Sequence, residues 1–323
     1  MLKQCVRAVV LVAGALLAHT ATAQAPYPDR PLRIVLAFGA GGFADITARL
    51  MAERLSTLVG QTVLVENQPG AGGTAAARSV LNAKPDGHTL FLLVNGHVAG
   101  KAALKSLAWD PVHDFAPIGL MALFDLLLVV KGDGPYKTIG EFVAAARTNA
   151  GKLNIGTVNP GSTQNLAAEL FKANIGADLS IIPYKGTPDL AVGVMGGQLD
   201  GLVDTYTALK SQIDSGRLRA IVSSGAKRSS YLPNVPTMKE SGFPDYEVIG
   251  WNALAAPAGT PAPVIATLNR HLNAIVAAPE FRKRLLDMGA EPAGGTPEEM
   301  GRRVTSDFAK WEAMIAKAGI PKL

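Results

Sequence analysis

The sequence predicts an α/β protein of two units with a ligand cleft between them, and three observations carry that prediction. Short apolar runs alternate with amphipathic helical segments along almost the whole chain. Glycine-rich loops follow the first two apolar runs. Two extended apolar segments, near 120–130 and near 246–256, read as crossings between units, which puts 27–124 plus 251–323 in one unit and 125–250 in an inserted second one.

The first residues are set aside before the fold is read. Lys3 and Arg7 are followed by the small and apolar run Val9 to Ala18 and then by Ala21-Thr22-Ala23, the pattern of an export signal cleaved near Ala23. The run is about 10 residues, half of what a membrane-spanning helix needs. Cleavage leaves 323 − 23 = 300 residues, enough for two cores, and lowers the formal charge from +5 to +3. The one cysteine, Cys5, goes with the leader, so disulfides and thiol chemistry are excluded from the mature chain. Without basic clusters, and with only 6% aromatics, nucleic acid is not an expected partner. A mild positive field favours an anionic ligand.

Element by element, Leu32 to Phe38 reads as a strand and Ala44 to Leu58 as a helix with Ile46, Leu50, Leu55 and Leu58 on one face. A strand over Thr62 to Glu66, a helix over Thr74 to Ala83 and a strand over Thr89 to Val94 follow. The run Phe124 to Val130, apolar except for Asp125, predicts one buried strand. Thr138 and Glu141 form a capping box, and Ser162 stands as N-cap of a helix reaching Lys172 after a strand over Leu153 to Val158. Strands at Ser180 to Tyr184, Gly201 to Asp204 and Arg219 to Ser223, with a helix near Leu190 to Met195, complete the second set. Tyr246 to Ala255 is extended, Thr260-Pro261 caps a helix to about Ala278, and Thr296-Pro297-Glu298-Glu299 opens the last helix, to about Lys317.

The chemistry concentrates in the glycine loops, Phe38-Gly39-Ala40-Gly41-Gly42 with Asp45 just beyond, and Gly70-Ala71-Gly72-Gly73. Glycine permits close backbone approach and positive φ, and the helix after each loop offers unpaired N–H groups and the positive end of its dipole. Such a unit is a general anion site; alternatively, each loop is only a tight turn. With the helix start at Ser162, three such termini facing one cleft suit a ligand with carboxylates. Asp45, in a first helical turn, reads mainly as support for the loop. Gly39-x-Gly41-x-x-Ala44 also matches a dinucleotide fingerprint, with Glu66 placed as the ribose-binding acid, so a nucleotide-cofactor oxidoreductase is the alternative. No G-x-S-x-G elbow is present, and the five histidines (His19, His88, His97, His113, His271) have no metal-ligand spacing. We expect no catalytic residue, no metal and no cofactor. Asn95, just after the third strand, is a further candidate contact, and His97 has a possible place in the cleft.

Seven blocks in order resemble the Bug-type substrate-binding proteins of tripartite tricarboxylate transporters. They are Phe38 to Asp45 with Ala48-Arg49, Gly60 to Gly73, Pro85 to Leu90, Asp114 to Gly119, Pro183-Tyr184-Lys185-Gly186, Arg228 with Leu232 to Thr237, and Trp251 with Ala256 to Pro261. The resemblance implies a periplasmic binding protein type II-like fold, two α/β domains joined by extended hinge segments with a ligand cleft between. It implies a monomeric receptor that captures a small organic acid, a di- or tricarboxylate, aromatic acid or amino acid, for the membrane subunits of a transporter or for a sensor. In that family the first two loops hold a carboxylate through backbone amides and bridging waters. By position, Ser162, Thr163, Asn165 and Asp204 are the contacts from the opposite domain. The chain departs from the family pattern at Ala40, Asn165, Gly193 and Asn252-Ala253, which leaves the ligand class open.

Overall fold

A computed structural model describes residues 27–229, 231–320 and 322. The expected export signal, with Cys5 and His19, lies outside them. Two mixed sheets organise the chain. The first has six strands: β1 (Leu32–Leu36), β2 (Val63–Asn67), β3 (Thr89–Val94), β4 (Phe115–Asp125), β10 (Ile249–Pro257) and β11 (Glu291–Pro292), in the order β11-β4-β10-β3-β1-β2. The second has β5 (Leu127–Lys131), β6 (Asn154–Val158), β7 (Ser180–Tyr184), β8 (Gly201–Asp204) and β9 (Leu218–Ser223), in the order β7-β6-β8-β5-β9.

Each sheet is parallel where strands are linked through helices and antiparallel at the strands that cross between sheets. β1 runs parallel to β2 and β3, and β6 to β7 and β8. β10 runs antiparallel between β3 and β4, and β5 antiparallel between β8 and β9. The mixed pattern has a simple cause: a parallel neighbour needs a crossover within its own sheet, and a strand returning from the other unit has none. The run at 124–130 is two strands rather than one, since β4 ends at Asp125 and β5 starts at Leu127.

Helices cover both sheets because their apolar stripes need partners. In the first unit, α1 (Phe43–Val59) buries Phe43, Ala48, Met51 and Leu55 and ends at Gly60, whose φ of 66° only glycine adopts without strain. After it come α2 (Thr74–Leu81) and α3 (Asn95–Ala103). The second unit holds α4 (Ile139–Thr148), α5 (Thr163–Ile175), α6 (Thr187–Met195) and α7 (Tyr206–Asp214). The chain ends in α8 (Ala262–Ala277), α9 (Pro279–Asp287) and α10 (Pro297–Lys317). The capping boxes at Thr138/Glu141 and Thr296/Glu299 form as read. Thr260 does not cap α8: its hydroxyl donates back to the Pro257 carbonyl, and Pro261 occupies the cap position. The helices α3, α7 and α9 are not evident from periodicity; α3 (NGHVAGKAA) has no large apolar residue beyond Val98.

The chain leaves the first sheet at Leu126 and re-enters it at Ile249, and one buried serine ties the two passages together. The Leu126 N–H donates to Ser224 Oγ at 2.8 Å, and the Ser224 N–H donates to the Leu126 carbonyl at 2.8 Å. Ser224 Oγ donates to the Val248 carbonyl at 2.6 Å, and the Val248 N–H returns to the Ser224 carbonyl at 3.1 Å. Ser224→Ala strands the Leu126 N–H and a Val248 acceptor in a buried place, and should lower stability by about 1–3 kcal/mol. Urea unfolding of the variant measures this, and an unchanged midpoint would contradict it.

Candidate functional site

The two units meet across a cleft whose walls are built largely of backbone. A Cβ added at Gly39 would lie 3.2 Å from the Lys185 carbonyl, and one at Gly42 would lie 3.5 Å from Thr187 Oγ1. Beside them α3 meets the start of α5: a Cβ at Gly96 would come within 2.5 Å of the Thr163 nitrogen, and one at Gly100 within 3.3 Å of the Gly161 carbonyl. The Asn159 side-chain amide donates across the cleft to the Ala37 carbonyl at 3.4 Å. Glycine here serves close approach between two backbones.

The larger of two adjoining cleft cavities lies among Phe38, Gly39, Gly42, Phe43 and Ala44 on one side and Thr163, Gln164, Lys185, Gly186 and Thr187 on the other. Val94, Phe124, Val158 and Asn252 form its floor. These residues include the first turns of α1, α5 and α6, whose leading N–H groups have no partner within their helices. Among the described lining residues none is acidic and one, Lys185, is a cation. The cavity lining therefore combines polar donors, positive dipole ends and aromatic surface. A smaller cavity adjoins it across Phe38, walled by Gly70, Gly72, Gly73 and His97 on one side and Asn159 to Ser162 on the other.

Asp45 sets the shape of the first loop. Its Oδ2 accepts the Gly41 N–H at 3.0 Å, and its Oδ1 accepts Arg49 Nε at 3.0 Å and the Asn67 amide at 2.9 Å. The same Asn67 amide donates to the Phe38 carbonyl at 3.0 Å, so the loop is held at both ends from behind. Burial alone would raise the Asp45 pKa, but the bonds from Arg49, Gly41 and Asn67 outweigh it and hold the carboxyl below its ordinary value.

The second loop is held by glycine geometry and one indole. Ala71 opens a short 3-10 turn, Gly72 and Gly73 have φ of 59° and 64°, and Trp109 Nε1 donates to the Gly72 carbonyl at 3.1 Å. Behind it His97 is 5% exposed, stacked on Phe91 with centroids 4.9 Å apart and facing Phe38 at 5.8 Å. His97 Nδ1 accepts the Val94 N–H at 3.3 Å, which leaves the ring proton on Nε2. Burial lowers the His97 pKa to about 3, so the ring is neutral. Nε2 has no partner among the described residues, and an unmet buried donor costs about 1–3 kcal/mol.

The polar candidates of the opposite unit separate into wall and support. Thr163 lines the larger cavity, and Ser162 lines the smaller one while its Oγ accepts the Asn165 N–H at 3.1 Å as N-cap. Asn165 faces its own loop: Oδ1 accepts the Gly161 N–H at 3.0 Å and its amide donates to Thr157. Asp204 is fully buried and accepts Thr187 Oγ1 at 2.6 Å, Gln164 Nε2 at 3.1 Å and the Thr205 N–H at 2.8 Å. Burial raises its pKa and these bonds offset part of the rise. It acts by orienting Thr187 and Gln164, which do line the cavity. The candidate Asn95 has protein partners for its side chain: its amide donates to Asp307 at 3.2 Å and its oxygen accepts Trp311 Nε1 at 3.1 Å, both on α10. Ala40 and Gly41 lie at the exposed crest of their loop. Sequence reasoning did not select Gln164, Thr187 or Asn252 as contacts. Asn252 donates to Thr47 Oγ1 at 2.7 Å, a pairing 205 residues apart that no local pattern signals.

Two α/β units joined by a double crossing, with helix N-termini converging on the cleft between them, define a two-lobed solute-binding protein. The chain belongs to the tripartite tricarboxylate transporter receptor family: the model described as "Tripartite tricarboxylate transporter family receptor" matches residues 47–320. It is similar to the periplasmic binding protein BugD, at 35% identity and a TM-score of 0.87 over 92% of this chain and 100% of that one. An R. palustris protein solved with adipate matches at 33% identity and a TM-score of 0.88, over 92% and 100% of the two chains. MatC from Rhodopseudomonas palustris, with bound malate, matches at 31% and 0.85, over 90% and 100%. Family membership places the protein in the periplasm as a receptor and not an enzyme.

The dinucleotide alternative is thereby set aside, and the structure gives the physical reason. Glu66 is paired with Arg33 at 3.1 Å, and the antiparallel β10 lies beside β3 where a dinucleotide fold continues with parallel strands.

Because its folded pKa is depressed, Asp45 contributes stability that is complete above the unfolded value of about 3.9 and is lost as pH falls through the folded one. Asp45→Asn should lower stability at neutral pH and flatten its acid-side decline. Unfolding midpoints measured from pH 7 downward test this, and parallel profiles for variant and parent would refute it.

Proposed function

We propose that the protein captures a small organic acid in this cleft and presents it to the membrane subunits of a tripartite transporter. The observation that carries the reading is the cavity lining: three helix N-termini, one lysine and no acidic residue among the described ones. A carboxylate at such a position gains dipole and N–H stabilisation without a buried counter-charge that a neutral ligand would leave unpaired. Related proteins solved with adipate and with malate support carboxylates as the ligand class. Phe38, Phe43 and Phe124 favour an acid with an apolar body between its polar ends. In this reading Gly39–Gly42 and Gly70–Gly73 hold the acid, and the 125–250 unit closes over it about the Ser224 seam. The receptor is a monomer, exported and cleaved near Ala23.

A thermal-shift screen of residues 24–323 against dicarboxylates, citrate, benzoate and amino acids, with NAD as control, tests the proposal. An acid at about 100 times its dissociation constant adds roughly 2.7 kcal/mol to stability. Stabilisation by one class of acid is expected. A panel in which no acid shifts the midpoint, or only NAD does, would overturn it.

A further inference from the structure

The smaller cavity contains a feature that the receptor reading does not use: a buried hydrogen-bond donor with no acceptor among the described residues. His97 Nε2 lies against the second glycine loop, so near that a Cβ at Gly73 would come within 2.9 Å of it. The space that Gly73 leaves open belongs to the cavity walled by Gly70, Gly72, Ala37 and Ser162. The ring cannot turn to find another partner. Phe91 stacks on it at an interplanar angle of 17°, Trp109 meets it edge-on at 5.2 Å, and Nδ1 is committed to the Val94 N–H. Trp109 also holds the Gly72 carbonyl, so ring and loop share one brace.

We propose that His97 is a specificity-determining residue whose neutral Nε2–H donates to a carboxylate oxygen of the bound acid, beside the backbone of Gly70–Gly73. The inference rests on the carboxylate-receptor reading and adds to it a side-chain donor of fixed direction. A donor-only contact of this kind selects an acceptor oxygen and rejects an ammonium or an apolar group at the same position, since either leaves the N–H unmet. It also divides the cleft by role. The smaller cavity takes the head carboxylate, and the larger one, beyond Phe38, takes the apolar body and the far end of the acid within reach of Lys185 and Thr187.

The test uses the purified protein labelled uniformly with 15N and titrated with acetate, malate, adipate, citrate and benzoate, alongside His97→Phe and His97→Gln. Phenylalanine keeps the stack and removes the donor; glutamine places an amide N–H near the same point. At least one acid should shift both the glycine-loop amides and the His97 Nε2–H resonance. His97→Phe should weaken that acid roughly 10- to 100-fold, the worth of a hydrogen bond to a charged group, and His97→Gln should recover most of the loss. A glycine-loop response with an unmoved Nε2–H signal, or equal affinity in His97→Phe, would overturn the role of His97 and leave the receptor reading standing. A proton found on Nδ1 would overturn it too. No response of any cleft resonance to any of the five acids would bring down the carboxylate reading and this inference with it. Should His97→Phe not fold, the Nε2–H titration and the glutamine variant decide.

Discussion

The architecture depends on the four hydrogen bonds of Ser224, which bind the outgoing and returning passages of the chain into one seam. Two strands that crossed independently would let the units slide and twist against each other. Tied at one residue, they restrict the relative motion to a swing about that residue, the kind of motion that brings two faces together in one register. The register matters because the faces that meet are close-fitting: Gly39 against the Lys185 carbonyl, Gly96 against the Thr163 nitrogen, Gly100 against the Gly161 carbonyl. Backbone-to-backbone approach at these distances tolerates no lateral error.

What the faces enclose follows from the same economy of side chains. With glycine at the contact points, the groups that reach the cavity are peptide N–H groups and helix termini, supplemented by Thr163, Gln164, Thr187 and Asn252. Apart from the exposed Lys185 in the lining, charged residues stand one layer back. Asp45 shapes the first loop and Asp204 aims Thr187 and Gln164. Both carboxylates have their oxygens occupied by donors, so their charge is spent within the protein and repels an incoming anion less than a free carboxylate would. An anion site whose donors are mainly neutral suits a receptor that must also release its ligand. Lys185, the one cation among the described lining residues, is exposed to water and is not left buried and unpaired when the acid leaves.

Much of this was legible in the sequence, and the gaps have physical causes. The strand–glycine loop–helix units were visible because only glycine serves those positive-φ positions, and the helix start at Ser162 because a serine before an apolar-periodic run is an N-cap. Asp45 was legible as support from its place in a first helical turn. At Asn95 and Asn165, residue type and position identify a polar side chain near the cleft, but its direction depends on Trp311, Asp307, Gly161 and Thr157, which lie elsewhere in the sequence or on the neighbouring turn. The helix α3 escaped notice because the face it presents to α5 is built from glycine, where a search for periodicity looks for large apolar residues. The single strand expected at 124–130 is two, and the one charged residue of that run, Asp125, marks where the chain passes from one sheet to the other.

The central claim is that an acid held between the units stabilises their approach, so the distance between units is the quantity to measure. Leu64 on β2 and Val192 on α6 are 51% and 62% exposed, on different units, and residues 24–323 contain no cysteine, so Leu64→Cys with Val192→Cys accepts two spin labels cleanly. Pulsed electron spin resonance then gives the distance distribution with and without an acid that raises the thermal midpoint. The account predicts a broad distribution that narrows onto its closed component when the acid binds. A distribution that is the same with and without a stabilising acid would contradict it.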